Sequence, residues 1–258
     1  MTKQFRRFLA AVALLVPVAG FASEGGVHLD KAPVNLRDVE GLQRGAQTFA
    51  NYCLSCHGAI NMRYNRLQDI GLTEDQIKAN LMFATDKVGD PMKVAMQAHD
   101  AKEWFGATPP DLSLIARSRG ADWLYTYLRG FYRDDSRPTG WNNLAFDKVG
   151  MPHVLWELQG IQEPVYKTVK GHDGKDEKVL EGLKLVKPGL LTQVGENNQY
   201  DQHEFDKRVG DLVSYLVYMG EPAQVKRQQI GYGVLLFLLF ILIPITYLLK
   251  KEYWRDVH

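Results

Sequence analysis

The residues best equipped for chemistry in this chain form one short run, Cys53-Leu54-Ser55-Cys56-His57. Two thiols three positions apart can each form a thioether with a vinyl group of one haem. The histidine that follows is then held beneath the iron as an axial ligand. This is the C-x-x-C-H attachment spacing of c-type haem. A bare C-x-x-C would equally serve a thiol-disulfide exchanger or half of a zinc site. The adjacent His57, and the absence of any cysteine beyond these two, argue against both.

The sixth ligand decides what such an iron does. An open position binds small molecules, whereas a side chain there confines the haem to electron transfer. The candidates are Met62, Met82, Met92, Met96, Met151 and Met219, with His28, His99, His153, His172 and His203. Met151 is the best placed, in Val149-Gly150-Met151-Pro152, because a glycine before it and a proline after it define a constrained loop. His153, two residues on, is its rival; otherwise it is a surface or hydrogen-bonding histidine. Met219 at a helix end, and Met92 with Met96 at i,i+4 spacing, read as packing residues.

The elements that must position these groups are mostly helical. Leu42, Gly45, Phe49 and Cys53 share one helical face leading into the haem motif. Gly45 on that face admits a second helix at close range. Asp201 and Glu204 have capping-box spacing ahead of the stripe Phe205, Val209, Leu212, Val213 and Leu216, which Gly220 and Pro222 end. A first helix running into the haem and a last helix crossing it are the frame of a class I cytochrome c-like domain. A further helix starts at Thr73, with Gln76 completing a capping box and Leu72 and Ile77 a hydrophobic staple. Between Leu158 and Asn198, Val165–Val169 and Val179–Val186 flank the turn-like Gly171-His172-Asp173-Gly174, a short β-hairpin insertion.

The two ends carry apolar runs of different kinds. Lys3, Arg6 and Arg7 precede an apolar stretch from Phe8 to Val18, followed by Gly20-Phe21-Ala22. That is a secretory signal peptide, residues 1–22, with cleavage after Ala22. From Ile230 to Leu249 there are 20 residues without charge, about 30 Å of helix, enough to cross a bilayer core. Lys226 and Arg227 precede this span and Lys250, Lys251 and Arg255 follow it, which puts the C-terminal tail in the cytoplasm. The chain therefore divides into the signal, a periplasmic haem domain over 23–225, and an anchor with a short cytoplasmic tail over 226–258. The whole chain sums to +1. The signal holds three cations, and the anchor region five basic and two acidic residues, which leaves the exported domain at −5. A nucleic-acid surface needs the opposite sign; a docking face for a basic partner is consistent with it.

Taken together, the chain resembles the cytochrome c1 family, the haem subunits of bacterial quinol:cytochrome c oxidoreductases (cytochrome bc1 complexes). The resemblance covers almost the whole chain. It rests on Arg44-Gly45 and Phe49 before the haem motif, Met62-Arg63-Tyr64 after it, and Pro109-Pro110-Asp111-Leu112-Ser113. It continues through Ala116-Arg117-Ser118-Arg119-Gly120 and Gly150-Met151-Pro152 to Val213–Pro222 ahead of the single span.

The resemblance implies one covalent haem c with His57 and Met151 as its axial pair. It also implies that Arg119 meets a haem propionate, that Pro110 packs near the haem, and that Trp123 stands where many members have a tyrosine. The extra cysteine pair of some bacterial members is missing, so packing and hydrogen bonds must hold the Met151 loop. The implied role is one-electron relay rather than bond chemistry: from the Rieske iron-sulfur protein to a periplasmic cytochrome c, in a dimeric complex with cytochrome b. Two other readings stay open at this point. One is a different membrane-anchored monohaem cytochrome, disfavoured by the C-terminal anchor and large domain. The other is a haem enzyme such as a peroxidase, which needs an openable distal site.

Overall fold

A computed structural model describes residues 27–94, 96–170, 176–195, 200–253 and 255. The proposed signal peptide lies outside them, as do the turn residues 171–175 and with them His172.

Helix α1 (Val39–Tyr52) starts at Asp38, whose carboxylate accepts the Gly41 N–H, and buries Leu42, Gly45 and Phe49 as the periodicity predicts. Cys53 is its C-cap, so the haem motif begins where the helix stops. After it come β1 (Ala59–Arg63), a 3-10 turn (Tyr64–Ile70), α2 (Glu74–Asn80), β2 (Pro91–Met92) and α3 (Ala98–Phe105). The capping box forms as expected: Thr73 Oγ1 accepts the Gln76 N–H at 3.2 Å and Gln76 Oε1 accepts the Thr73 N–H at 2.9 Å. Leu72 and Ile77 both join the core. Met92 is buried in β2 and Met96 lies at a bend, so their i,i+4 spacing does not give them a shared helical face.

Helices α4 (Ile115–Arg119) and α5 (Ala121–Arg129) lead to β3 (Phe131–Arg133) and β4 (Trp141–Asn143), which pair antiparallel. The single turn α6 (Trp156–Gln159) precedes the hairpin of β5 (Gly160–Lys170) and β6 (Asp176–Pro188). Gln162 ties the base of this hairpin to the carbonyls of Arg129 and Phe131, both at 2.9 Å. A short ribbon, β7 (Gln193–Val194) with β8 (Tyr200–Asp201), leads into α7 (His203–Gly220). The expected cap at Asp201 is displaced. Asp201 is committed to pairing with Gln193, α7 begins at His203, and the Asp201 carboxylate accepts the His203 N–H at 2.8 Å.

The core forms where α7 crosses α1. A Cβ at Gly45 would overlap the Asp211 carbonyl and lie 2.7 Å from Tyr215 Cβ, so only glycine permits this approach. Phe49 and Tyr215 pack across the crossing, ring centroids 5.7 Å apart. Arg44 clasps Asp211 at 2.7 Å beside it. Arg129 joins three segments, bidentate to Asp206 on α7 at 2.7 and 2.9 Å and also reaching Asp30 at 2.6 Å.

Three residues after α7, an unbroken helix runs from Gln224 to Tyr253: α8 (Gln224–Phe237), a wider π turn (Leu238–Leu242) and α9 (Ile243–Tyr253). It is long and apolar enough to cross a membrane, and no residue of its apolar window is buried in the protein. The helix starts six residues ahead of the uncharged run. Pro244 produces the π turn rather than a break. It has no N–H for the preceding turn, and the Ile243 N–H bonds back to Leu238, five residues away.

Candidate functional site

The haem motif continues the last turn of α1. Cys53 N–H bonds to the Phe49 carbonyl at 2.9 Å, and Cys56 and His57 N–H both bond to the Cys53 carbonyl, at 3.1 and 2.8 Å. This tight turn presents two free thiols, Cys53 buried and Cys56 half-buried. Burial, with Cys56 beside it, pushes the Cys53 thiol up to about 12. A redox dithiol needs the opposite shift, toward a thiolate. Among the described residues, no three His, Cys, Asp or Glu side chains are grouped to hold a metal ion.

His57 is oriented by Pro110. Its Nδ1 lies 2.7 Å from the Pro110 carbonyl oxygen. A carbonyl can only accept, so Nδ1 carries the proton and Nε2 keeps its lone pair. Burial holds the imidazole below its ordinary range, against the upward pull of the Pro110 carbonyl and Asp111.

The Pro-Pro-Asp-Leu-Ser segment clamps the chain just past the motif. Leu112 N–H bonds to the Gly58 carbonyl at 2.8 Å. Asp111 accepts the N–H groups of Ile60 and Ser113, both at 2.9 Å, and Ser113 Oγ accepts that of Asn61 at 3.0 Å. A Cβ on Gly58 would come within 3.2 Å of the Asp111 carboxylate, a tight fit. These bonds bring Pro110 to His57. The sequence reading singled out Pro110 alone; Asp111 and Ser113 do much of the holding.

A second set of residues gathers around Met151. The Tyr127 hydroxyl donates to Met151 Sδ at 3.4 Å. Tyr127 stacks on Trp123, one helical turn earlier on α5, with centroids 4.8 Å and planes 12° apart. The Arg119 guanidinium lies over the Trp123 ring at 5.2 Å. Arg119, Trp123, Tyr127 and Met151 therefore form one column. Tyr127 was missed from sequence, although its i,i+4 spacing from Trp123 was the available signal. Upstream of the loop, the buried Asn142 side chain donates to Asp134 and Asp147 and accepts the Lys148 N–H at 2.9 Å. Lys148 itself has a φ of 58°, which this bond helps to hold.

His153 does not sit on an open face. It is 2 % exposed, stacks on Phe131 and meets Trp141 edge-on. Burial holds its imidazole down to about 4, a neutral ring at physiological pH. Met219 is buried in the core, the packing role expected of it.

The donor set fits a covalently attached haem: two unpaired thiols, an imidazole with Nε2 free, and a thioether held by a hydroxyl.

The profile of the Cytochrome C1 family matches residues 30–257. A protein of Nitrosomonas europaea named ammonia monooxygenase gamma subunit is 51% identical, over 98% of this chain and 98% of its own length. Cytochrome c1 of Allochromatium vinosum is 49% identical over 97% of this chain and 98% of its own length. Cytochrome c1 of Rhodospirillum rubrum is 30% identical over 100% and 99%. The family profile spans nearly the whole chain, two full-length relatives are named cytochrome c1, and this chain joins a C-x-x-C-H turn to one membrane-length helix, so it belongs to the cytochrome c1 family: a membrane-anchored electron-transfer subunit of the cytochrome bc1 complex that carries a covalently bound haem c.

Proposed function

We propose that this chain takes one electron at a time from the Rieske iron-sulfur protein and passes it to a periplasmic cytochrome c during quinol oxidation. The observation that carries the reading is the 2.7 Å contact of His57 Nδ1 with the Pro110 carbonyl, which reserves Nε2 for iron. Cys53 and Cys56 tether the porphyrin, and Met151 offers the sixth ligand. Bound haem supplies a one-electron iron couple, and nitrogen-sulfur ligation favours a high potential. Arg119, fixed over Trp123, keeps its guanidinium near the same column and is suited to pair with a propionate. Tyr127 donates to the Met151 sulfur and keeps the distal position filled, which disfavours a ligand-binding enzyme.

In this reading, residues 1–22 are removed on export, 23–225 form the periplasmic domain, and 226–258 anchor it beside cytochrome b in a dimeric complex. The span's basic C-terminal flank supports a cytoplasmic tail. Truncation after Glu221 should then release a soluble domain that retains haem, whereas recovery of unaggregated truncated protein only in membranes refutes those boundaries.

The electron route is tested in the gently purified complex. Quinol should reduce this haem only while the Rieske protein is present, and oxidised cytochrome c should reoxidise it. Reduction by quinol at full rate in Rieske-free complex refutes the route. The name of the Nitrosomonas europaea relative raises a second reading, a subunit of a monooxygenase. The same purification separates the two, since only the first brings b-type haems and an iron-sulfur protein with the chain.

A further inference from the structure

The Met151 loop is held from two directions. Past Met151, Pro152 restricts the backbone and His153 turns inward. The His153 ring lies parallel to Phe131, with centroids 4.9 Å and planes 3° apart, and meets Trp141 edge-on at 5.1 Å. Phe131 and Trp141 sit on the paired strands β3 and β4, so the backbone ladder fixes both plates. Phe131 also meets Tyr127 edge-on at 5.1 Å, and Tyr127 reaches back to the Met151 sulfur at 3.4 Å. The contacts close a circuit: Met151 sulfur, Tyr127, Phe131, His153, and two residues of backbone back to Met151. The sulfur is therefore restrained at its tip by a hydroxyl and at its root by an aromatic wedge. His153 Nε2 and Gln159 Oε1 are both buried without a hydrogen bond of good geometry, and Gln159 is the polar side chain that acts on the ring, whose other contacts are aromatic faces and edges.

We propose that His153 is a positioning residue: without binding iron, its ring wedges between Phe131 and Trp141 and keeps the Met151 sulfur presented to the haem. The proposal rests on the reading of Met151 as the sixth ligand, and its test keeps the two apart.

The experiment uses the assembled complex, with covalent haem quantified first in every variant. Three properties are read: the methionine-to-ferric-iron charge-transfer band, the ferrous-to-ferric ratio at fixed ambient potential, and carbon monoxide binding by the reduced protein. His153→Phe keeps the plate and removes both nitrogens; it should retain the band and stay inert to carbon monoxide. His153→Leu removes the plate. Its band should weaken, its ferrous-to-ferric ratio should fall about threefold, the order of one aromatic pair, and carbon monoxide should bind. Trp141→Leu, which leaves one edge of the wedge unsupported, should move all three in the same direction by less. It decides the matter where His153→Leu does not accumulate.

Unchanged readouts in His153→Leu, or in Trp141→Leu where that variant stands in, overturn the proposal. So does loss of the band in His153→Phe, which would make a ring nitrogen the essential group. Met151→Leu is the separating arm. If it keeps the band, the ligand reading itself fails; if it loses the band while His153→Leu keeps it, only the wedge fails.

Discussion

Cys53, Cys56 and His57 lie within five consecutive residues at the end of α1, whereas the groups around Met151 come from α4, α5, β3, β4 and the loop after β4. The first set is positioned by one helical turn and one clamping segment, through backbone hydrogen bonds of 2.8 to 3.1 Å. The second depends on aromatic stacking and a single hydroxyl-to-sulfur bond of 3.4 Å. Local backbone geometry survives modest disturbance elsewhere, and thioether attachment survives even unfolding. A ligand delivered by packed side chains from separate segments does not. The haem should therefore be hard to remove and its sixth ligand comparatively easy to displace, so that core destabilisation shows first in the ligation of Met151.

The largest effect expected is on the proximal side. The double variant Cys53→Ala, Cys56→Ala should carry no covalent haem, because the chain has no spare thiol. Haem staining after denaturing electrophoresis measures this, and a stained double variant would break the contrast at its root.

Next, Met151→Leu should keep full haem staining and lose the charge-transfer band. Thioether ligation favours ferrous iron, so its loss lowers the potential and makes electron acceptance unfavourable. Quinol-dependent reduction of cytochrome c should drop by about tenfold or more, the equivalent of ~1.4 kcal/mol or more in the barrier. Normal turnover with the band retained would assign the ligand elsewhere, with Met82 and Met219 the next variants to make.

A smaller effect is expected at the helix crossing that supports both sides. Gly45→Ala forces a methyl group onto the Asp211 carbonyl and should cost about 1–3 kcal/mol. Thermal unfolding of the full chain in detergent should shift down, and the charge-transfer band should fade at a lower temperature than in the parent while haem staining stays complete. Simultaneous loss of both would show that the two sides are not separable.

The smallest effect belongs to a site away from both sets. Thr73→Ala removes the cap of α2 and should cost about 1 kcal/mol. Chemical denaturation should register it, while the band in the folded protein stays unchanged. A change in the band would mean that α2 communicates with the distal loop.

The attachment motif, the membrane-length span, the α1 face with Gly45 and the Thr73 box were legible in the sequence because each depends on neighbours one to four residues apart or on a continuous apolar run. The hairpin was visible for the same reason, its strand propensities being local, although its pairing extends beyond the predicted runs to Gly160 and Pro188. The cap of α7 lies one residue later than expected because Asp201 pairs with a strand partner eight residues upstream, although its carboxylate still accepts the first N–H of the helix. A ligand role for Met151 was expected from its Gly-Met-Pro setting, but Tyr127, Asn142 and the stacking of His153 on Phe131 could not be anticipated from it. Tyr127 with Met151 and Phe131 with His153 join residues 24 and 22 positions apart, and the Asn142 side chain binds residues five to eight positions away, with no local pattern that announces these partners. By itself, then, the sequence determined where haem attaches and where the chain meets the membrane, since both are written in contiguous residues. What surrounds the Met151 thioether was decided only by the tertiary structure, because side-chain packing across β3, β4 and α5 exists only once those elements have met.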